Sequence, residues 1–191
     1  WHNPNVIVVA NHASHLDMGL VKFALGEFGK DIRALAAADY FFKNPMRKTY
    51  FNNFTNLIPV ERSGSPEVAL KGAVDSLHRG ETLLMFPEGT RATDGKLRKF
   101  RRGLGYLVAT EKVDILPVYV EGTYRALPKG QSLPSPTNRN LKVRIGELLS
   151  AREILRNAED REGNELWDFV SAQAHESVKY LRDAYDQREG S

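Results

Sequence analysis

The 191-residue chain contains no cysteine. That excludes disulfides, a thiolate nucleophile and cysteine-built zinc sites together. No run of about 18 uncharged apolar residues occurs, so nothing reads as a membrane-spanning helix. There is no Gly-x-Ser-x-Gly elbow, and with it goes the usual serine nucleophile of α/β hydrolases. A Walker-type Gly-Lys-Ser/Thr loop is also missing. "RRGLGYLV" holds Gly103 and Gly105 but neither a third glycine nor a strand leading into it, so ATP and NAD chemistry lose support. Nor is there a large charge excess: 27 Lys and Arg stand against 24 Asp and Glu, a net +3. No nucleic-acid partner is expected from so mild a balance. The first residue is Trp1 rather than Met, and the chain is expected to be one domain, residues 1–191, excised from a longer protein.

What the chain does have is alternation. "NVIVVA" (5–10), "TLLMFP" (82–87) and "DILPVYVEG" (114–122) are short, β-rich and continuously apolar, the pattern of strands buried on both faces. "NLIPVER" (56–62) and "NLKVRIGE" (140–147) read as further strands, and "DIRALAAA" (31–38) as a strand whose alanines also suit a helix. Between them lie helices. "MGLVKFALGEFG" has apolar residues at helical spacing, with Gly29 as its stop. "PMRKTYFNNF" starts on a proline suited to a first turn. "SPEVALKGAVDSLHRG" has Ser65 to cap it, Pro66 to start it and Gly80 to end it, and "RRGLGYLVATEK" follows later. Residues 163–188 read as one long C-terminal helix, with Leu166, Val170, Ala174, Val178, Leu181 and Tyr185 on one stripe that packs on the sheet. The expected class is α/β: a mainly parallel central sheet covered by helices on both faces.

Active sites in such sheets lie beyond the carboxyl ends of the strands. Four polar clusters follow strands here: "NHASHLD", "ERSG", "PEGTR" and "EGTYR". In the first, His12 and Asp17 stand five residues apart across a strand-to-helix turn. A neutral imidazole removes a hydroxyl proton near pH 7, and a carboxylate fixes its tautomer. The same pair also fits a plain capping turn. A metal reading of His12, His15 and Asp17 is disfavoured, since no second pair of ligands is visible, and no metal is expected. Arg62 and Arg91 follow strands and suit a phosphate, which guanidinium forks bind bidentately. Glu88 can orient a substrate hydroxyl or hold Arg91, and Gly89 lets a substrate approach the backbone. From Arg91 to Arg102 six basic residues stand against one acid. That stretch reads either as a solvated loop or as a surface for phosphates of a substrate or a membrane.

Taken together, these blocks resemble the glycerolipid acyltransferases, the family of 1-acylglycerol-3-phosphate acyltransferases. "NHASHLD" resembles their N-H-x-x-x-x-D block, "PVERSG" their arginine-bearing second block, with Glu61 where aspartate is common, "FPEGTR" matches the third letter for letter, and "ILPVYVEGT" resembles the fourth. The resemblance covers residues 5 to 125 in order. It implies that His12 is the general base for an acceptor hydroxyl and that Asp17 supports it. It implies that Arg62 contacts the acceptor phosphate and that Glu88, Gly89, Thr90 and Arg91 bind the acceptor. Pro117 and Gly122 would stand on the acyl-donor side. The donor would be acyl-CoA or acyl-carrier protein and the acceptor a lysophospholipid, with no cofactor beyond the donor substrate. The family's membrane-embedded segment before the first block is not in this sequence, yet peripheral contact with the cytoplasmic face of a membrane is expected. Lys96–Arg102, with Leu97 and Phe100, is the candidate contact; its alternative is to hold the phosphates of coenzyme A. Two alternatives to a lysophospholipid enzyme are an acyltransferase for another alcohol and a non-catalytic acyl-CoA or lipid-binding module.

Overall fold

The computed structural model describes residues 5–38, 56–61, 64–131, 135 and 140–189, the last five as backbone only. The expected helix at 45–54 and Arg62 lie outside the described residues. Among the described residues fourteen elements follow one another: β1 Val6–Ala10, α1 Leu16–Ala24, α2 Glu27–Lys30, β2 Arg33–Ala37, β3 Leu57–Val60, α3 Pro66–Ala69, α4 Lys71–His78, β4 Leu83–Met85, α5 Gly103–Glu111, β5 Asp114–Glu121, α6 Thr123–Ala126, β6 Lys142–Ile145, α7 Ala151–Asn157 and α8 Gly163–Glu189.

One six-stranded sheet runs in the order β3-β2-β4-β1-β5-β6. Its pairs are parallel except for β5 with β6, which is antiparallel. β1 lies between β4 and β5, and all five of its residues are buried. A strand covered on both faces has no solvent side, so Val6-Ile7-Val8-Val9-Ala10 shows no polar alternation. Its side chains divide between two cores. Ile7 and Val9 join Leu83 and Ile115 against α4, α5, α7 and α8. Val6, Val8 and Ala10 join Leu84, Leu116 and Val118 against α1 and α2.

This division positions the site. The chain leaving β1 turns to the α1 face, whereas the chain leaving β4 turns to the α5 face. Two neighbouring parallel strands whose exits diverge leave a crevice beyond their carboxyl ends, the usual ligand position in an open α/β sheet. "NHASHLD" leaves β1 there, and "PEGTR" leaves β4.

The C-terminal helix is a core element. Val170, Ala174 and Val178 are fully buried, and α8 crosses α5 at Gly105. A Cβ on Gly105 would stand 1.9 Å from the Trp167 carbonyl oxygen, so only glycine permits this approach. Ser171 completes the crossing: the Gly105 N–H donates to its Oγ at 3.0 Å, and that hydroxyl donates to the Arg101 carbonyl at 3.1 Å.

Several local expectations are corrected. α1 stops before Gly26, which has φ 59°, and Gly29 lies inside α2 instead of ending a longer helix. The helix expected from Ser65 breaks at Leu70 into α3 and α4, and Ser65 makes no capping hydrogen bond. The short helices α6 and α7 interrupt stretches with too few periodic residues to be seen in the sequence. Phe100 is not part of a surface contact. It is 3% exposed and meets the His175 ring edge-on at 5.1 Å, while Leu97 packs on the same core. The basic residues around Phe100 point outward, and its own ring follows the hydrophobic gain inward. No helix among the described residues is long and apolar enough to cross a membrane.

Candidate active site

Backbone pairing of β1 with β5 ends at Ala10 opposite Val118. There the Asn11 side chain takes over. Its Nδ2 donates to the Val120 carbonyl at 2.8 Å, and the Val120 N–H donates to its Oδ1 at 2.7 Å. This two-bond latch pins the start of the turn to β5. Further on, the Ser14 hydroxyl donates to the Leu127 carbonyl at 2.8 Å. The turn is thus tied down on both sides of His12.

Asp17, in the first turn of α1, organises the interior of the loop. It has no solvent exposure. Its Oδ2 accepts the Ala13 N–H at 2.7 Å, the Ser14 N–H at 2.8 Å and His12 Nδ1 at 2.9 Å. A buried carboxylate is tolerated only when donors compensate it, and here three converge. Because Asp17 can only accept, the proton of the neutral imidazole sits on Nδ1 and Nε2 keeps its lone pair. His12 is partly open, at 22% side-chain exposure. Phe86, directly after β4, stacks on its ring with centroids 4.3 Å apart and planes 21° apart. Asp17 therefore holds the ring at one nitrogen and Phe86 covers one of its faces, which leaves Nε2 as the ring atom outside both contacts.

The β4 exit is stapled to this loop. The His12 N–H donates to Glu88 Oε1 at 3.0 Å, and the Ala92 N–H donates to the His12 carbonyl at 2.8 Å. The structure therefore brings His12, Asp17, Glu88, Gly89, Thr90 and Arg91 into one cluster. Glu88 is 4% exposed. Burial pushes its carboxyl up to about 7, and the negative charge of Asp17 adds to this, against the pull of the His12 amide. Arg91 is half-buried and forms no side-chain hydrogen bond or ion pair with a described residue. Gly89, at φ 75°, needs glycine for its backbone. Pro117 lies inside the sheet opposite Val9, and Gly122, at φ 85°, stands at the top of β5. A Cβ on Gly122 would come 2.1 Å from the Asn140 carbonyl oxygen, so its immediate role is close packing. Among the described residues no three His, Asp or Glu side chains are arranged to hold a metal ion.

Phe86 and Arg101 are members of this cluster that sequence reasoning did not single out. Phe86 had a visible signal, its place between β4 and "PEGTR". Arg101 was visible only as one cation in a basic run.

The buried Glu88 makes stability depend on pH. In the unfolded chain the carboxyl loses its proton near 4.5; in the folded protein it holds it to about 7. Between those values the folded state binds more protons, so stability falls as pH rises and levels off above 7. At about 1.4 kcal/mol per pH unit the loss approaches ~3 kcal/mol. Glu88→Gln keeps an acceptor for the His12 N–H and has no proton to lose. Urea denaturation of both proteins from pH 5 to pH 8 should show the variant gaining on the wild type by about that amount. A difference that stays constant with pH would show that the carboxyl is not held protonated.

Comparisons with known proteins bear on the family and the fold. A family model described as Acyltransferase matches residues 2–121. The crystal structure of the 1-acyl-sn-glycerophosphate acyltransferase PlsC from Thermotoga maritima superposes with a TM-score of 0.68 at 28% identity, covering 95% of this chain and 68% of that one. Taffazin of Dictyostelium discoideum is 27% identical over 179 residues, 87% of this chain and 62% of its own length. The chloroplastic 1-acyl-sn-glycerol-3-phosphate acyltransferase LPAT1 of Arabidopsis thaliana is 28% identical over 126 residues, 65% of this chain and 34% of its own. The chain thus spans between a third and two thirds of these two relatives. Since β1, both stapled turns and the whole of β5 fall inside the matched span, this chain belongs to the Acyltransferase family.

Proposed function

We propose that the protein moves a fatty acyl group from a thioester, acyl-CoA or acyl-carrier protein, to the free hydroxyl of a lysophospholipid of the 1-acylglycerol-3-phosphate class. The observation that carries this reading is the 2.9 Å contact of His12 Nδ1 with Asp17 at the crevice between β1 and β4. Relatives named as 1-acyl-sn-glycerol-3-phosphate acyltransferases support the choice of acceptor.

In this scheme His12 Nε2 takes the proton of the acceptor hydroxyl. The alkoxide oxygen bonds to the thioester carbon, and the carbonyl π pair moves to oxygen. The tetrahedral oxyanion then re-forms its double bond as the carbon–sulfur bond breaks. The departing thiolate takes the proton from the imidazolium, which returns the ring to its starting state. Asp17 stabilises that imidazolium while it lasts. Arg91, and Arg62 from the second block, grip the acceptor phosphate, and Glu88, Gly89 and Thr90 shape the pocket around the glycerol. Pro117 and Gly122 hold the strand end beside the donor. No metal or redox cofactor enters. A lipid acceptor places the reaction at a membrane surface, which the protein meets peripherally from the cytoplasmic side.

Incubation with acyl-CoA and a panel of lysophospholipids, read by mass spectrometry, should yield phosphatidic acid from 1-acylglycerol-3-phosphate. A protein that binds acyl-CoA tightly yet acylates no member of the panel would be a binding module, and the reading would fall.

A further inference from the structure

We propose that Arg101 is a phosphate-binding residue of the substrate site, additional to the arginines of the sequence blocks and resting on the acyltransferase reading above. Its placement is constructed from several independent contacts. The Arg101 N–H donates to the Pro87 carbonyl at 2.8 Å, and its Nε–H donates to the Glu88 carbonyl at 3.2 Å. Its own carbonyl accepts the Ser171 hydroxyl, which ties this position to α8. The side chain lies flat on the bare backbone of Gly89: Nε, Cδ and Cζ stand 2.7, 2.9 and 2.9 Å from where a Cβ would be. Both the root and the neck of the side chain are therefore fixed against the turn whose carboxylate holds the His12 backbone.

The far end is different. Nη1 and Nη2 make no hydrogen bond to a described residue, and the residue is exposed. Neighbouring arginines are compensated: Arg102 pairs with Asp168 at 3.1 Å, and Arg98 approaches Asp94 at 3.7 Å. Arg101 touches the carbonyl of Glu88, not its carboxylate, so among the described residues its charge has no such partner. A guanidinium fork held by its neck, with two amino groups that no described residue engages, is pre-organised for a bidentate phosphate contact. A phosphomonoester on the acceptor and the phosphates of an acyl-CoA donor offer the same chemistry. The spacing of the run Lys96–Arg102 hid this, because it does not show that the Arg101 side chain lies over the glutamate-glycine turn.

Steady-state kinetics of Arg101→Met, with each substrate varied in turn, distinguish the two sources. Loss of one charge-assisted contact should raise one KM by about 10- to 100-fold with kcat little changed. A rise in the lysophospholipid KM assigns Arg101 to the acceptor phosphate. A rise in the acyl-CoA KM, absent when an acyl-pantetheine is the donor, assigns it to the donor. A fall in kcat with both KM values unchanged would mean that Arg101 only braces the turn, and would overturn the proposal. Arg101→Lys keeps the charge and loses the fork; it should give an intermediate KM and carries the test if the Met variant fails to fold. Should the wild type transfer no acyl group, the acyltransferase reading fails on its own. Calorimetric titration with coenzyme A and glycerol 3-phosphate then reads the Arg101 contact without turnover. Weaker binding of either by the variant sustains the proposal, whereas equal affinity, or no binding by the wild type, overturns it.

Discussion

His12→Ala should retain about one-thousandth of the wild-type kcat while folding normally. A positioned general base contributes roughly 10²–10⁴ in rate, and His12 is the imidazole that Asp17 holds. Glu88 is close, but it is buried, its Oε1 is taken by the His12 backbone N–H, and burial raises its carboxyl to about 7. The KM for the acceptor should change little, since the imidazole makes its decisive contact only as the proton moves. Folding should survive because the turn is secured by backbone and neighbouring groups: the Asn11 latch, the Ser14 bond to Leu127 and the two staples from the β4 exit. What is lost is the Nδ1 donor to Asp17, which keeps the Ala13 and Ser14 amides, and the stack on Phe86, worth about 1 kcal/mol. The space vacated beside Phe86 should admit free imidazole, and added imidazole should restore part of the rate. Stopped-time assays with labelled acyl-CoA, alongside circular dichroism, check both points. A folded variant within tenfold of the wild type would remove His12 from the chemistry.

How much of this could be read from the residues depends on the range of each contact. The His12–Asp17 pair spans five residues, and a strand-to-helix turn constrains it locally. So the sequence sufficed to put both on one rim. β1 and β5 were legible because strands buried on both faces are apolar throughout. Contacts across long separations left no such trace. Asn11 reaches Val120 across 109 residues, and nothing at either end marks the partner. Phe86 meets the His12 ring only because β4 lies next to β1 in the sheet, a neighbourhood that chain order does not imply. The antiparallel direction of β6 was equally hidden, since pattern reports burial and not polarity of the chain. The basic run misled in one respect: Phe100, flanked by cations, belongs to the core. Three-residue β4 and the breaks at Gly26 and Leu70 show the other limit, where helical spacing continues through a residue at which the backbone stops.

Asp17 separates orientation from charge, and two substitutions should resolve them. In Asp17→Asn the side-chain oxygen must occupy the Oδ2 position, because three donors converge there. The amide nitrogen then falls at Oδ1, which is buried and has no hydrogen-bond partner among the described residues. The imidazole keeps its orientation and its Nδ1 proton, so only the countercharge to the imidazolium is lost. The expected cost is about 10²–10³ in kcat and, for one buried unsatisfied group, ~1–3 kcal/mol of stability. Asp17→Ala removes the acceptor itself. The Ala13 and Ser14 amides lose their partner inside the loop, and His12 loses its anchor. The kcat should fall to the level of His12→Ala. Stability should drop by more than in the Asn variant, since hydrogen bonds to a charged acceptor count for about 1.5–3 kcal/mol each. Combining Asp17→Ala with His12→Ala should then cost almost no further activity, as expected for two residues acting as one unit. Measuring kcat and urea stability for the two single variants and the pair tests this ordering. Additive losses in the double variant would mean that Asp17 works through something other than the imidazole.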